Sequence, residues 1–208
     1  MRYEIKKFVT GPLDTNTYVV SADNVSECLV IDPSSGCGGV LEHIQRQERR
    51  VAAVCLTHGH FDHILGITEI TGRFADAAVW AHPDETILLS NPQYNGAVML
   101  GMDFSYRGPI EPLREGTVAI GSFTFTVLHI PGHSPGGCAF VFDKNCICGD
   151  AVFAGSIGRT DFPGSDGRIF IENIRRKLLT LPDDTVLWPG HGGRTTVGRE
   201  KRMNPFLV

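Results

Sequence analysis

The sequence predicts a mixed α/β sandwich, and three observations support this fold class. Short runs rich in Val, Ile, Phe, Thr and Tyr recur along the 208-residue chain, as expected of strands. After the first few of these runs, segments with helical periodicity alternate with them. The chain also holds 24 glycines and 12 prolines, and so many turn-forming residues favour many short elements.

Ten runs are predicted to be strands because β-branched and aromatic residues dominate them. In chain order they are residues 3–8, 17–20, 28–31, 51–56, 77–81, 117–120, 123–130, 138–142, 145–148 and 185–188. Helical patterns lie at residues 39–47, 62–74, 83–90 and 168–179, with a short helix near the C-terminus.

The helix predicted over 168–179 is amphipathic, since Ile171, Ile174 and Leu178 fall mostly on one side while Arg175 and Arg176 can face water. Residues 91–108 fit neither pattern. An unassigned stretch of that length often forms an active-site wall. Because the sequence contains no repeat, low-complexity tract or long linker, residues 1–208 are predicted to form a single domain.

Composition excludes several classes of partner. The 19 Lys and Arg residues against 23 Asp and Glu give a net charge of −4, which argues against nucleic acid as a partner. Apolar runs fall short of the roughly 18 residues of a membrane span, and the start of the chain lacks the apolar region of a secretory signal. We therefore expect a cytoplasmic protein without a membrane partner. Its six cysteines are expected to be reduced and buried.

The strongest chemical signal is the run Thr57-His58-Gly59-His60-Phe61-Asp62-His63, which places three imidazoles and one carboxylate within six residues. Such nitrogen and oxygen donors suit Zn, Fe or Mn. Burying so many polar groups without partners would be costly. The motif therefore predicts a metal site.

Three further donors each follow an apolar, strand-like run, as His58 does. They are His133, Asp150 and His191, and a glycine immediately precedes each of them. We expect these four strand ends to lie along one edge of a sheet, where they would converge on a single pocket.

Seven donors exceed the needs of one four-coordinate ion, so the sequence predicts two ions that share a ligand. A carboxylate with two oxygens is the natural bridge. Two divalent ions, with Zn expected and Fe or Mn as alternatives, would lower the pKa of water and supply a hydroxide nucleophile at neutral pH.

The motif at 57–63, His133 in His-Ile-Pro-Gly-His-Ser, Asp150 in Cys-Gly-Asp and His191 in Pro-Gly-His-Gly together resemble the metallo-β-lactamase superfamily. The resemblance spans nearly the whole chain, including Asn-Thr-Tyr at 16–18 and Val-Ile-Asp-Pro at 30–33. It implies a four-layer αββα sandwich. It also implies that one ion is held by His58, His60 and His133 and the other by Asp62, His63 and His191, with Asp150 bridging both.

The run Gly-Arg-Thr-Asp-Phe-Pro at 158–163 and the tail Asn-Pro-Phe-Leu at 204–207 resemble the short, single-domain type II glyoxalases. That likeness implies hydrolysis of hydroxyacyl thioesters such as S-lactoylglutathione. Asp62 and Asp150 would act in catalysis, and Arg159 could bind a substrate carboxylate. In this sequence 17 residues follow His191, whereas the long type II glyoxalases carry a helical extension that grips glutathione. Gly137 stands where those enzymes often have His.

Three other functions stay open. A persulfide dioxygenase would use one Fe(II) held by His58, His133 and Asp150, and a lactonase of the same superfamily would differ mainly in its leaving group. A metal-binding module without catalysis is the third. Asp150, where thiol-liganded β-lactamases have Cys, argues against penicillin-type substrates. Oligomeric state is left open by the sequence.

Overall fold

The computed structural model describes residues 2–208 and places two six-stranded sheets face to face, which confirms the predicted mixed α/β class. The first sheet has the order β1 (Tyr3–Thr10), β2 (Thr15–Ala22), β3 (Glu27–Ile31), β4 (Arg50–Cys55), β5 (Ala78–Ala81), β6 (Glu111–Pro112). β1 to β3 pair antiparallel, and β3 to β6 pair parallel.

The second sheet contains strands from the later part of the chain. They are β7 (Gly116–Ile120), β8 (Phe123–His129), β9 (Cys138–Phe142), β10 (Asn145–Gly149), β13 (Val186–Pro189) and β14 (Thr195–Thr196). Across this sheet the order is β14-β13-β10-β9-β8-β7, and β10 and β13 are its parallel pair. A separate small hairpin is formed by β11 (Val152–Phe153) and β12 (Ser156–Ile157).

Helices cover the outer face of each sheet. They are α1 (Gly38–Arg46), α2 (Phe61–Ile64), α3 (Ile67–Arg73), α4 (Thr86–Ser90), α5 (Gly167–Asn173) and α6 (Val197–Met203). A π-helical turn, Ile174–Leu178, extends α5, and short 3₁₀ turns lie at Pro83–Glu85 and Ala97–Leu100.

Three apolar cores hold these layers together. Between the sheets, Tyr18, Phe123 and Phe140 are almost completely buried. The side chain of Ile44 from α1 belongs to the core outside the first sheet, and Phe170 from α5 to that outside the second. Burial of such side chains stabilises each layer by roughly 1.5–3 kcal/mol per residue. The order helix, sheet, sheet, helix is the expected αββα sandwich.

Strand ends position the candidate ligands, but one detail of the prediction is wrong. The four ligand-bearing strands were expected along one edge of a single sheet. β4, which precedes His58, belongs to the first sheet, whereas β8, β10 and β13 belong to the second. The donors meet because the ends of both sheets lie on the same side of the sandwich.

The six cysteines are buried and free, as expected. Within residues 2–208, none of the helices is long and apolar enough to span a bilayer.

Candidate metal centre

The loop after β4 carries the first four donors, and a buried aspartate shapes it. Asp32, which follows the end of β3, accepts hydrogen bonds from the Thr57 backbone N–H at 2.7 Å and the Thr57 hydroxyl at 2.5 Å. His60 then occupies the N-cap position of the short helix α2, which carries Asp62 and His63. The side chains of all four donors are largely buried.

Four imidazoles each donate their Nδ1–H to a fixed acceptor, which turns the opposite nitrogen, Nε2, toward the other donors. These bonds run from His58 Nδ1 to Thr57 Oγ1 (3.0 Å), His63 Nδ1 to Asp32 Oδ2 (2.9 Å), His133 Nδ1 to the Arg159 carbonyl (2.6 Å) and His191 Nδ1 to the Leu13 carbonyl (3.1 Å). Of these four, His133 Nε2 lies 2.9 Å from His60 Nδ1. Metal-binding histidines usually have such a partner on the ring nitrogen that faces away from the ion.

Six of the seven predicted donors form two groups, and the seventh lies between them. The donor atoms of His58, His60 and His133 lie within 4.8 Å of one another, and so do those of Asp62, His63 and His191. Between the groups lies Asp150. Its Oδ1 is 3.4 Å from His63 Nε2, and its Oδ2 is 3.7 Å from His133 Nε2 and 3.6 Å from His191 Nε2.

Unsatisfied polar atoms show that these donors fit bound cations. Among the described residues, His58 Nε2, His60 Nε2, His63 Nε2 and Asp150 Oδ1 are buried without a hydrogen-bond partner. Buried polar groups are normally paired, and each unpaired one is costly. Four such atoms in one cluster are what a site for metal ions requires.

Burial keeps two histidines of the site neutral, while the nearby carboxylates favour a bound cation. Burial lowers the pKa of His58 well below its usual value and that of His60 to about 3, so both rings are neutral donors near pH 7. Burial alone would lower the pKa of His63 as well. The carboxylates of Asp62, Asp150 and Asp32 outweigh it and raise that pKa well above its usual value. The same negative surroundings would stabilise a cation.

Two glycines allow Asp150 and its neighbours to approach so closely. Gly149 has φ +49°, and a Cβ there would lie 2.3 Å from Thr57 Oγ1. A Cβ on Gly190 would lie 2.1 Å from Asp150 Oδ1. A side chain at position 149 would therefore displace Thr57, which contacts His58, and one at position 190 would displace Asp150 itself.

Sequence reasoning missed three supporting residues. Asp32 lies in the Val-Ile-Asp-Pro motif, which predicts no role for it, although its carboxylate orients both Thr57 and His63. Thr15 donates its hydroxyl to Asp62 Oδ2 at 2.8 Å, and Glu85 joins two ligand-bearing loops. Because these contacts link residues 25 to 51 positions apart, spacing along the chain gives no signal for them.

A cleft of about 430 Å³ opens in front of the donors. His60, Asp62, His133, Asp150 and His191 line its base. Its walls are mainly apolar, with Leu13, Phe153, Ile157, Phe162, Met99 and Leu100 among the lining residues. Asn95, Gly96, Met99 and Leu100 belong to the unassigned segment 91–108, so part of this segment lines the cleft.

Arg159 lies at the rim of this cleft, and its guanidinium already has a partner. Its Nε and Nη2 donate to the two carboxylate oxygens of Asp161 at 2.9 and 2.8 Å, and both side chains are exposed. The guanidinium also stacks 4.6 Å from the ring centre of Phe162. Its side chain is therefore held in one orientation beside the cleft.

A further group of donors lies at His82, Asp84 and His129. The two imidazole rings stack with centres 4.0 Å apart and planes 12° apart. Nitrogen lone pairs lie in the ring plane, so those of parallel stacked rings cannot converge on one ion. This arrangement is unsuited to metal binding without rotation of a ring.

Comparisons with known proteins agree with this geometry. Residues 10–191 match the family model described as the metallo-beta-lactamase superfamily. The chain is 36% identical over 207 residues to the probable metallo-hydrolase YqgX of Bacillus subtilis, covering 97% of this chain and 96% of YqgX. It is 32% identical over 197 residues to the hydroxyacylglutathione hydrolase GloC of Haemophilus influenzae, covering 89% of each chain.

Two solved structures are similar over nearly the full length. The crystal structure of BLEG-1, a B3 metallo-beta-lactamase, has a TM-score of 0.93 at 36% identity, covering 99% of this chain and 100% of that one. TTHA1623 in a di-iron-bound form has a TM-score of 0.86 at 36% identity, covering 97% and 100%. TTHA1623, which is similar over nearly the whole chain, thus holds two iron ions.

Proposed function

The chain belongs to the metallo-beta-lactamase superfamily, and from that premise we propose that this metal-dependent hydrolase cleaves hydroxyacyl thioesters such as S-lactoylglutathione. The convergence of seven donors, five of which line the base of a largely apolar cleft, carries the proposal. Similarity to GloC, a hydroxyacylglutathione hydrolase, supports the thioester as substrate. The enzyme would act in the cytoplasm on a small molecule, without nucleic acid or membrane.

Each predicted ligand has a place in this proposal. His58, His60 and His133 would hold one ion, and Asp62, His63 and His191 the other, with Asp150 between them. When bound, two divalent ions lower the pKa of water toward neutrality and polarise a carbonyl oxygen. Zn is the expected metal, and Fe is supported by the di-iron form of TTHA1623.

The two carboxylates would orient the nucleophile. Asp62 Oδ2 accepts a hydrogen bond from Thr15 and lies 3.2 Å from His191 Nε2, so its position is fixed from two sides. Burial raises the pKa of Asp62, but His63, His191 and the Thr15 hydroxyl outweigh it and keep that pKa below its usual range. Asp62 is therefore ionised at neutral pH. The leaving thiolate needs no strong general acid because a thiol has a low pKa.

Arg159 would bind a carboxylate of the substrate. Asp161 occupies its Nε and Nη2, which leaves Nη1 without a hydrogen bond to the described residues. Stacking on Phe162 keeps the guanidinium at the cleft rim. We expect Arg159→Ala to raise KM for a carboxylate-bearing thioester, with little change for an uncharged one.

β-Lactam hydrolysis, against which Asp150 argues in the sequence, is a second candidate because the similar protein BLEG-1 is described as a B3 metallo-beta-lactamase. Thioester and β-lactam hydrolysis both require attack of a hydroxide on a carbonyl, so the same donors could serve either reaction. The two reactions differ in the leaving group. The substrate panel must therefore include a β-lactam.

The deciding experiment combines metal analysis of freshly purified protein with a substrate panel. The panel contains S-lactoylglutathione, a homoserine lactone, a β-lactam and glutathione persulfide with oxygen uptake recorded. Two ions per chain and preferred thioester cleavage would support the proposal. One iron with oxygen uptake would instead identify a dioxygenase, and bound metal without turnover would identify a binding module.

Asp150→Ala tests the bridging role within that experiment. We expect it to lose metal and to reduce kcat/KM at least about 100-fold, since even residues behind the ligands change activity 10–100-fold. Asp184→Ala is the control, because Asp184 is an exposed aspartate paired with the exposed Lys144. An Asp150 variant that keeps both ions and turnover would contradict the role.

A further inference from the structure

One buried carboxylate outside the donor set connects two ligand-bearing loops. Glu85 is fully buried at the end of the 3₁₀ turn Pro83–Glu85. Its Oε2 accepts the backbone N–H of Gly59 and its Oε1 accepts the backbone N–H of Gly136, both at 2.6 Å. Within the described part of the chain, no Lys or Arg pairs with it. The two amides, together with the neighbouring Ser134 hydroxyl, therefore compensate for its burial.

Both loops carry donors of the same group. Gly59 lies between His58 and His60, and Gly136 lies three residues after His133. The carboxylate therefore holds together the two segments that contribute all three donors of this group. The second group is anchored differently, because Thr15 and Asp32 orient its members.

Close approach of the loops to Glu85 depends on both glycines. A Cβ on Gly59 would lie 2.9 Å from Leu88 Cβ and 3.0 Å from Glu85 Oε2. A Cβ on Gly136 would lie 2.9 Å from Glu85 Cγ. Side chains at these positions would push the loops away from the carboxylate. The two short hydrogen bonds therefore depend on glycine at both positions.

We propose that Glu85 is a positioning residue that fixes the separation of these two loops and thereby sets the affinity for the ion held by His58, His60 and His133. This inference rests on the two-ion site of the proposed function. It assigns Glu85 no contact with substrate. The ion held by Asp62, His63 and His191 should be affected much less.

Glu85→Gln tests the proposal with nearly unchanged volume. The amide has one oxygen, so its NH₂ group must face one of the two backbone N–H groups and that bond is lost. We expect one of the two bound ions to be held about 10–100-fold more weakly while the other is retained. Chelator competition and metal counting by native mass spectrometry give both values. They are best measured at pH 8, because burial raises the pKa of Glu85 to about 7.

Glu27→Gln is the matched control, since Glu27 is also buried and also accepts a backbone N–H, from Ser122 at 2.8 Å. It lies at the start of β3, whereas Asp32 and the site lie beyond the end of that strand. This variant should lose stability but keep both ions. If Glu85 had only a structural role, Glu85→Gln would likewise lose stability and keep both ions.

The outcomes separate this inference from the proposed function. Wild-type protein that binds no metal would overturn both. Two ions in wild-type protein and unchanged affinities in Glu85→Gln would overturn the positioning role alone. If Glu85→Gln fails to fold, Gly136→Ala applies the same test while keeping the carboxylate: selective weakening of one ion supports the role, and retention of both contradicts it.

Discussion

Buried carboxylates near the two ends of β3 have different tasks. Asp32, just after the strand, accepts three hydrogen bonds from Thr57 and His63 and so orients the loop that carries the first donors. It does this with φ +49°, a left-handed conformation that Asp tolerates better than most residues. Glu27, at the start of the strand, contacts no donor and holds the turn between β7 and β8.

Glu27 gives a pH-dependent prediction at the scale of one residue. The Ser122 hydroxyl and backbone N–H, together with Arg50, lower its pKa although burial opposes them. A carboxyl whose pKa is lower in the folded state stabilises the fold above its unfolded pKa of about 4.3, and this contribution is lost as pH falls through the folded value. Glu27→Gln should therefore reduce the free energy of unfolding by about 1–3 kcal/mol at pH 7.

Urea unfolding of wild-type protein and Glu27→Gln at a series of pH values checks this. The difference between them should shrink at acidic pH, because the wild-type carboxyl becomes protonated there. If the difference in the free energy of unfolding stayed constant from pH 7 down to the lowest pH at which the protein folds, the charge on Glu27 would not contribute to stability.

At the residue scale, the sequence predicted which side chains meet but not what orients them. His58, His60, Asp62 and His63 were evident from spacing, and the later donors from their place after strands. Asp32, Thr15 and Glu85 act through contacts with distant segments. Their side chains are common types at ordinary positions, so only the folded chain reveals their partners.

At the element scale, every one of the ten predicted strands is present, because β-branched and aromatic runs need no distant partner to be recognised. β6, β11, β12 and β14 were missed. Each has two residues, and only pairing with a neighbour defines it. The helix predicted over 62–74 is divided into α2 and α3, since Leu65 and Gly66 interrupt it.

Gly66 and Gly72 should respond in opposite ways when each is replaced by alanine. A Cβ there would lie 2.1 Å from the Ser34 carbonyl oxygen and 2.8 Å from Cys37 Sγ. Gly66→Ala should therefore destabilise the protein by about 1–3 kcal/mol or more through overpacking. Gly72→Ala in α3 meets no atom within 4 Å and should stabilise it by up to about 1 kcal/mol.

Thermal unfolding of the two variants measures both effects. Opposite signs are expected, because the substitution is the same and only the surroundings differ. Equal shifts in Tm would mean that helix propensity, rather than the close approach to Ser34, governs this region.

At the scale of the whole molecule, the site lies where the two sheets are joined. Asn16 and Tyr18 on β2 donate hydrogen bonds to the Pro189 carbonyl at the end of β13, at 2.8 and 2.6 Å. Each donor group also draws on both sheets, since His133 and His191 follow strands of the second sheet and the other members follow β4 of the first. Bound ions would therefore connect the two halves of the sandwich.

This connection predicts that metal removal lowers global stability as well as activity. Ions that bind only the folded chain add a free energy that grows with the logarithm of free metal, about 2.7 kcal/mol at a concentration 100 times Kd. Stripping the protein with a chelator should lower Tm, and adding Zn²⁺ should restore it in proportion to that logarithm. Asp150→Asn should lose most of the response, whereas Asp143→Asn, on the exposed turn between β9 and β10, should keep it. A Tm independent of metal in wild-type protein would mean that the two halves are held together by the apolar core and the β2–β13 contacts alone.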